Sequence, residues 1–297
     1  MTTATNPLRA PVRWPAEAIW QAVEPLLPGF TVEVLPQVDS TNSELMRRCR
    51  AASLAALSNS TVGSCEAPEA ILLVAEHQNA GRGRLGRQWQ SQAGASLTFS
   101  LGLPLQPANW SGLSLAVGVS LAESLEPANG KPPALQLKWP NDLWLGQRKL
   151  GGILVETASW GDQRYVVIGV GLNVTQPDED FSAATSGAPG DAQTPRPMAA
   201  TSLQALWPGV DAAWALQAVA APLVKAVLDF EREGFAPFRA RFAGRDALAG
   251  RQVKLSDGTE GTACGVAAHG ALFVQTQNGQ QEISSLEVSV RPADPVQ

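Results

Sequence analysis

Apolar positions recur at helical spacing over residues 16–27 (AEAIWQAVEPLL), and 31–35 (TVEVL) alternates as a strand does. Asp39-Ser40-Thr41-Asn42 then opens a helix expected to reach about Leu57, with Thr41-x-x-Glu44 in the pattern of a capping box. An apolar run of strand length covers 71–75. Residues 76–94 are polar and rich in glycine and arginine, which predicts a loop. Strand-like alternation returns at 95–103 (ASLTFSLGL), followed by a mainly apolar helix at 111–126. Between 134 and 174 the segments ALQLKW, LWLG, KLGGILVE and YVVIGVGLNV are separated by short turns, which predicts neighbours in one sheet. Residues 175–200 are rich in Pro, Ala, Gly and Ser and predict a mobile surface loop. Helical patterning resumes over 211–233 and 235–243. After Gly250, short strands are punctuated by Asp257-Gly258, His269-Gly270 and Asn278-Gly279, the texture of a small β-barrel of about 45 residues. The reading is α+β, a mixed sheet backed by helices with a β appendage. It divides into a short extension (1–30), a catalytic unit (31–246) and a C-terminal unit (247–297).

Composition removes several function classes. The 297 residues are 44% hydrophobic and 16% charged, as in an ordinary globular protein. With 22 Lys and Arg against 27 Asp and Glu, the net charge of −5 gives no footprint for nucleic acid. No apolar run in the sequence suggests a membrane span, and residues 1–15 lack the layout of a secretory leader. Cys49, Cys65 and Cys264 are isolated, as are His77 and His269. They offer neither zinc spacing nor a disulfide framework, and a reduced cytoplasm is the expected setting.

Three clusters carry candidate chemistry. Gly81-Arg82-Gly83-Arg84-Leu85-Gly86 matches G-x-G-x-x-G, but no helix starts inside it and no acidic residue follows at the dinucleotide-binding distance. Its chemistry lies in Arg82, Arg84 and Arg87 between glycines, with Trp89 beside them. Guanidinium forks bind carboxylate or phosphate, and glycines let the backbone approach a ligand. In Lys138-Trp139-Pro140-Asn141-Asp142, a lysine ends an apolar strand, where a charge needs an anionic partner. Gly151-Gly152 and Gly169-Val170-Gly171-Leu172-Asn173 remove side chains from two apolar strands, either for a ligand or for tight backbone packing.

Taken in order, Ser40-Thr41-Asn42, 78–89 (QNAGRGRLGRQW), 138–143 (KWPNDL), 149–156 (KLGGILVE) and 169–173 (GVGLN) resemble the biotin protein ligases, across roughly residues 30–290. The resemblance implies a mixed-sheet catalytic domain with an SH3-like C-terminal barrel. It also implies a two-step reaction: biotin and ATP give biotinyl-5′-AMP and pyrophosphate, and a lysine of a biotin carboxyl carrier protein then displaces AMP. Carried over position by position, Ser40, Thr41, Asn42, Gln78, Arg82, Gly83, Arg84, Lys138, Gly151 and Gly152 line biotin. Arg84, Arg87, Trp89, Lys138, Asn141 and Asn173 meet the nucleotide, Lys138 and Arg84 are the catalytic pair, and Mg²⁺ is expected with ATP, Asp142 being its candidate ligand. Lipoate ligases share the fold and adenylation logic, but the complete Arg-Gly loop with Trp89 and the 138–143 run point to biotin. Many relatives carry a helix-turn-helix before this region. About 30 residues precede it here, so no DNA partner is expected, and a homodimer is left open.

Overall fold

The computed structural model of the chain describes residues 12–58, 69–160, 163–177, 199–284 and 290–293. Most of the 175–200 stretch, Cys65 and residues 285–288 of the expected barrel lie outside these. The N-terminal helix α1 (Ala16–Val23) stops short of the expected Leu27. Pro25 follows closely and has no N–H with which to extend the helical ladder. Then come β1 (Thr31–Leu35), α2 (Thr41–Ser58) and β2 (Ile71–Ala75), followed by a two-rung ladder of β3 (Gly81–Arg82) with β4 (Gln88–Trp89) inside the Arg-Gly loop. Next are β5 (Ser96–Pro104), α3 (Leu113–Leu125), β6 (Leu135–Lys138), β7 (Asp142–Leu145), β8 (Arg148–Trp160) and β9 (Gln163–Asn173). Helices α4 (Ala212–Glu233) and α5 (Ala236–Ala243) close the larger unit.

The seven-stranded sheet runs β1-β2-β5-β9-β8-β7-β6. Its β1–β2 pair is parallel and the other pairs are antiparallel, so the sheet is mixed as expected. Strand alternation sorts the faces. Leu72, Val74, Leu97, Phe99, Leu101, Val166, Ile168, Val170 and Leu172 join the main core with α1, α3, α4 and α5, whereas Leu73, Tyr165 and Val167 meet Leu45, Met46 and Cys49 of α2. Helix α4 is long and apolar enough to cross a membrane by length and composition, against the expectation that no apolar run suggests a span. Half of that stretch is buried, with Leu216, Val219, Leu223, Val227 and Phe230 in the main core. It also carries Lys225 and Asp229 paired at 2.6 Å, as a core helix with a solvated face does.

The second sheet, β13-β12-β11-β10-β14, is formed by β10 (Gln252–Leu255), β11 (Glu260–Val266), β12 (Leu272–Thr276), β13 (Gly279–Ile283) and β14 (Val290–Pro292). Its pairs are antiparallel, and Gly258, Gly270 and Gly279 take positive φ at the three expected turns. The β11–β12 turn presses on the larger unit. A Cβ on Gly270 would lie 2.7 Å from the Cα of Gly112, and the indole Nε1 of Trp139 donates to Gly270 O at 3.0 Å.

Candidate functional site

The same alternation builds the floor of the site. On the α2 side, β5 presents Ser96, Thr98 and Ser100 between its core leucines. Beyond Tyr165 and Val167, which α2 covers, β9 presents Gly169, Gly171 and Asn173. Helix α2 ends over this stretch, and missing side chains leave room. A Cβ on Gly169 would sit 2.1 Å from Asn42 Oδ1, and one on Gly171 would sit 2.4 Å from the Trp89 ring. Gly152 pairs with Gly171 on this face. Gly151 does not share it. Its Cβ would strike Gly171 O at 2.4 Å and the Leu172 side chain at 2.5 Å, so tight backbone packing is what excludes a side chain at Gly151.

At the start of α2, Ser40, Thr41 and Asn42 are buried. Glu44 N–H donates to Ser40 O at 2.9 Å, which makes Ser40 the capping residue. The Thr41–Glu44 box is therefore not formed, and Glu44 instead pairs with Arg47 and Arg48. Gln78 takes over part of the cap, its Oε1 accepting from Thr41 N at 2.7 Å and from the Thr41 hydroxyl at 3.2 Å. The Ser100 hydroxyl lies 2.7 Å from Thr41 Oγ1 and 2.6 Å from Asn42 Oδ1; with one proton it donates to one of them at a time. Asn42 Nδ2 donates to Leu154 O at 3.2 Å and to Glu156 Oε2 at 2.9 Å. Both partners only accept, which fixes the amide and leaves Oδ1 with a lone pair for a ligand N–H. Trp89 lies over Gly171, and its indole Nε1 is buried with no hydrogen-bond partner among the described residues. The pocket is neutral, polar and aromatic.

Cations collect beside it. Asp142 on β7 faces Lys138 across the β6–β7 turn and Gly152 on β8. Lys149 Nζ reaches its carboxylate at 2.8 Å, and Lys138 Nζ at 3.9 Å. Burial lowers the Lys138 ammonium to about 8; Asp142 opposes the shift, while Lys149, Arg87 and Arg291 add to it. Lys138 also lies 5.6 Å from the Trp144 ring. Burial works against ionisation of Asp142 too, but Lys149 and Lys138 outweigh it and hold the carboxyl below its usual range. Arg84 Nη1 donates to Asn141 Oδ1 at 3.3 Å, and burial lowers its guanidinium from the ordinary value. Asn141 is locked in turn by Nδ2 donating to Ile153 O at 2.8 Å. Arg82 lies further out, with Nη2 3.1 Å from Glu156 Oε1. Gly83 N–H donates to Arg87 O at 2.7 Å and closes the loop on itself. Asn173 Nδ2 donates to Thr201 O at 3.0 Å and braces residues 199–201 against the start of β8.

The structure thus brings Ser40, Thr41, Asn42, Gln78 and Trp89 together as one pocket, and Arg84, Arg87, Lys138, Asn141 and Asp142 as its charged neighbour. Sequence reasoning gave no role to Lys149, Ser100, Glu156 or Arg291. Lys149 stood inside a quoted motif, but its meeting with Asp142 depends on the β7–β8 register. Arg291 belongs to the C-terminal sheet, and local sequence carries no sign that it approaches Arg87 and Lys138. For a metal held by protein side chains alone, the donor set does not fit. No group of three or more His, Cys, Asp or Glu side chains that could hold an ion occurs among the described residues, and Asp142 is already paired with two lysines.

The sequence matches the biotin/lipoate A/B protein ligase family over residues 36–173 and the biotin protein ligase C-terminal domain over 249–291. It is 34% identical over 275 residues to the bifunctional ligase/repressor BirA of Escherichia coli (strain K12), covering 90% of this chain and 76% of that one. It is 43% identical over 162 residues to the biotin--[acetyl-CoA-carboxylase] ligase of Mycobacterium tuberculosis, 52% of this chain and 54% of the relative. The fold superposes on the biotin protein ligase from Aquifex aeolicus in complex with biotin and ATP with a TM-score of 0.64 at 28% identity, over 88% of this chain and 99% of that one. With its pocket of fixed amides and hydroxyls beside a cluster of cations around the buried Lys138, the chain belongs to the biotin protein ligase family.

Proposed function

We propose that the chain attaches biotin to a lysine of the biotin carboxyl carrier domain of acetyl-CoA carboxylase, using ATP and passing through biotinyl-5′-AMP. The observation that carries this is the seam between the two halves of the site. A neutral hydrogen-bonding pocket (Thr41, Asn42, Gln78, Trp89) adjoins a charged one (Arg84, Arg87, Lys138, Lys149) whose single carboxylate is Asp142. Such a seam suits a molecule with an uncharged head and an anionic tail that meets a phosphate. Asn42, held from beneath by Ser100, offers a fixed hydrogen bond to the ureido ring, and Trp89 covers it. The carboxylate then reaches the lysines.

In the first step a carboxylate oxygen forms a bond to the α-phosphorus, and the bond to the pyrophosphate leaving group breaks. Negative charge grows on the phosphoryl oxygens there, and fixed cations stabilise it. Lys149, with a third of its side chain exposed against 7% for Lys138, meets the anion directly. Lys138 supplies a second charge from behind Asp142. In the second step the carrier amine attacks the acyl carbon and AMP departs with the bonding electrons. Magnesium belongs to this reading on the nucleotide, since Mg²⁺ keeps water and phosphate oxygens as most of its ligands.

The test is biotin-dependent pyrophosphate release, followed by transfer of label to a purified carrier domain, with lipoate run in parallel. Release and transfer with biotin alone are expected. Transfer of lipoate, or no biotin-dependent release, overturns the reading. Two variants refine it. Gly169→Ala drives a methyl into Asn42 and should raise the KM for biotin by about tenfold, the cost of roughly one misplaced hydrogen bond, with a smaller change in the KM for ATP. Arg84→Gly removes the guanidinium bonded to Asn141, so the loop should release biotinyl-5′-AMP before the carrier arrives. Bystander lysines of an added protein such as albumin should then be labelled. Labelling confined to the carrier at the wild-type rate would show that Arg84 does not retain the intermediate.

A further inference from the structure

Glu156, on β8, stands where the ring pocket and the Arg-Gly loop meet. One carboxylate oxygen accepts from Asn42 Nδ2 at 2.9 Å, and the other lies 3.1 Å from Arg82 Nη2. Arg82 Nη1 approaches the first oxygen at 3.4 Å and Ser43 Oγ at 3.5 Å. Asn42 is buried and belongs to the ring pocket, while Arg82 is half exposed and belongs to the Arg-Gly loop. Backbone bonds join the two segments further back, Ala80 N–H donating to Asp39 O at 2.9 Å, but at the ligand end the carboxylate is the partner that Asn42 and Arg82 share. We propose that Glu156 is a positioning residue that couples the loop to the ring pocket, holding the Asn42 amide in its ligand-accepting orientation and Arg82 against β8 with the same side chain.

The chemistry separates its two duties. Asn42 needs an acceptor on its Nδ2 side, which a glutamine carbonyl still provides. Arg82 needs a charge, which a glutamine lacks. Glu156→Gln should therefore loosen the loop and spare the amide, whereas Glu156→Ala should lose both. A merely structural role would make the two variants fall together. The further prop on Asn42, Nδ2 to Leu154 O, is unchanged in either variant and keeps the side chain in place without fixing which loop position it serves.

Loop position can be read without activity, because Arg82, Arg84 and Arg87 are tryptic sites. Limited trypsin digestion of the full chain, without ligand, should cut the loop about fivefold faster in Glu156→Gln than in wild type, as expected for a half-exposed ion pair. Arg82→Ala attacks the same pair from the other side. Cleavage at its remaining Arg84 and Arg87 sites should rise similarly, and combining it with Glu156→Gln should add nothing. In the adenylation assay the KM for biotin should stay within about threefold in Glu156→Gln and rise about tenfold or more in Glu156→Ala, the cost of a hydrogen bond to a charged group. Equal KM changes in both variants, or unchanged cleavage in Glu156→Gln, overturn the proposal. The activity arm rests on the biotin-ligase reading. A wild-type chain that releases no pyrophosphate sinks that reading, while the cleavage arm judges the coupling on its own.

Discussion

Lys149→Ala should lower the rate of biotin-dependent pyrophosphate release by about a hundredfold or more, the usual cost of removing one preorganised charge from a transition state. The loss should fall mainly on kcat, since the charge it balances grows as the phosphoryl group transfers. Without Lys149, Asp142 keeps only Lys138, now 3.9 Å away, and an uncompensated carboxylate would face the incoming carboxylate of biotin. Lys138→Ala should be of similar size for a related reason. The two lysines share Asp142, so their effects should not add. Acidity gives a second handle on Lys138. Burial depresses its ammonium to about 8, so the charge is present below that pH and lost above it. The rate should decline above about pH 8, and this decline should be absent from the low residual activity of Lys138→Met. A Lys149→Ala variant within threefold of wild type, measured at saturating ATP, would remove the lysine from the reaction.

Arg245→Ala should destabilise the fold by ~3–5 kcal/mol, because it strands a buried carboxylate. Arg245 Nη1 donates to Glu126 Oε2 and to Leu135 O, both at 2.9 Å, and Nη2 donates to Glu126 O at 3.0 Å. Glu126 in turn accepts from Ala134 N at 2.8 Å and Leu135 N at 2.9 Å. These bonds fasten the end of α3 to β6, the strand that ends in Lys138. Burial alone would raise the Glu126 carboxyl, but the two backbone N–H groups and Arg245 outweigh it and hold it below the ordinary value. A depressed carboxyl contributes stability that is complete above its unfolded pKa and is lost as pH falls through the folded one. The stability lost in Arg245→Ala should thus be largest at neutral pH and shrink as acid protonates Glu126. Urea titrations at pH 7 and pH 4.5, with unchanged m-values, provide the check; a midpoint like that of the wild type would show that the pair is dispensable.

Much of this was legible in the chain. Strand β5 follows from two-residue alternation, β2 and β9 from apolar runs of strand length, and α4 from its helical stripe, because those signals depend only on neighbours in sequence. The polar pocket was also legible, since Ser40, Thr41, Asn42 and Gln78 stand in recognisable local motifs. What escaped depended on registry between strands. Which of Gly151 and Gly152 faces the ligand side cannot be read locally, because one step along a strand reverses the face. The reach of Lys149, paired with Trp144, to Asp142 needs the β7–β8 pairing, which shifts register between Leu143 and Trp144. The capping box failed for a tertiary reason. Gln78, 37 residues away from Thr41, supplied the acceptor that a local box would have given.

The contact of the β11–β12 turn with Gly112 and Trp139 has a consequence for inheritance and for engineering. Gly270 and Gly112 touch back to back, Gly112 has Phe235 behind it, and Trp139 adjoins Lys138. No one of these positions can gain bulk without a partner giving way, so they must drift as a set. A chimera that exchanges the C-terminal barrel between two ligases therefore inherits activity only when the graft brings a matching turn, and libraries of such chimeras are best built with residues 112, 139, 235 and 270 from the same parent.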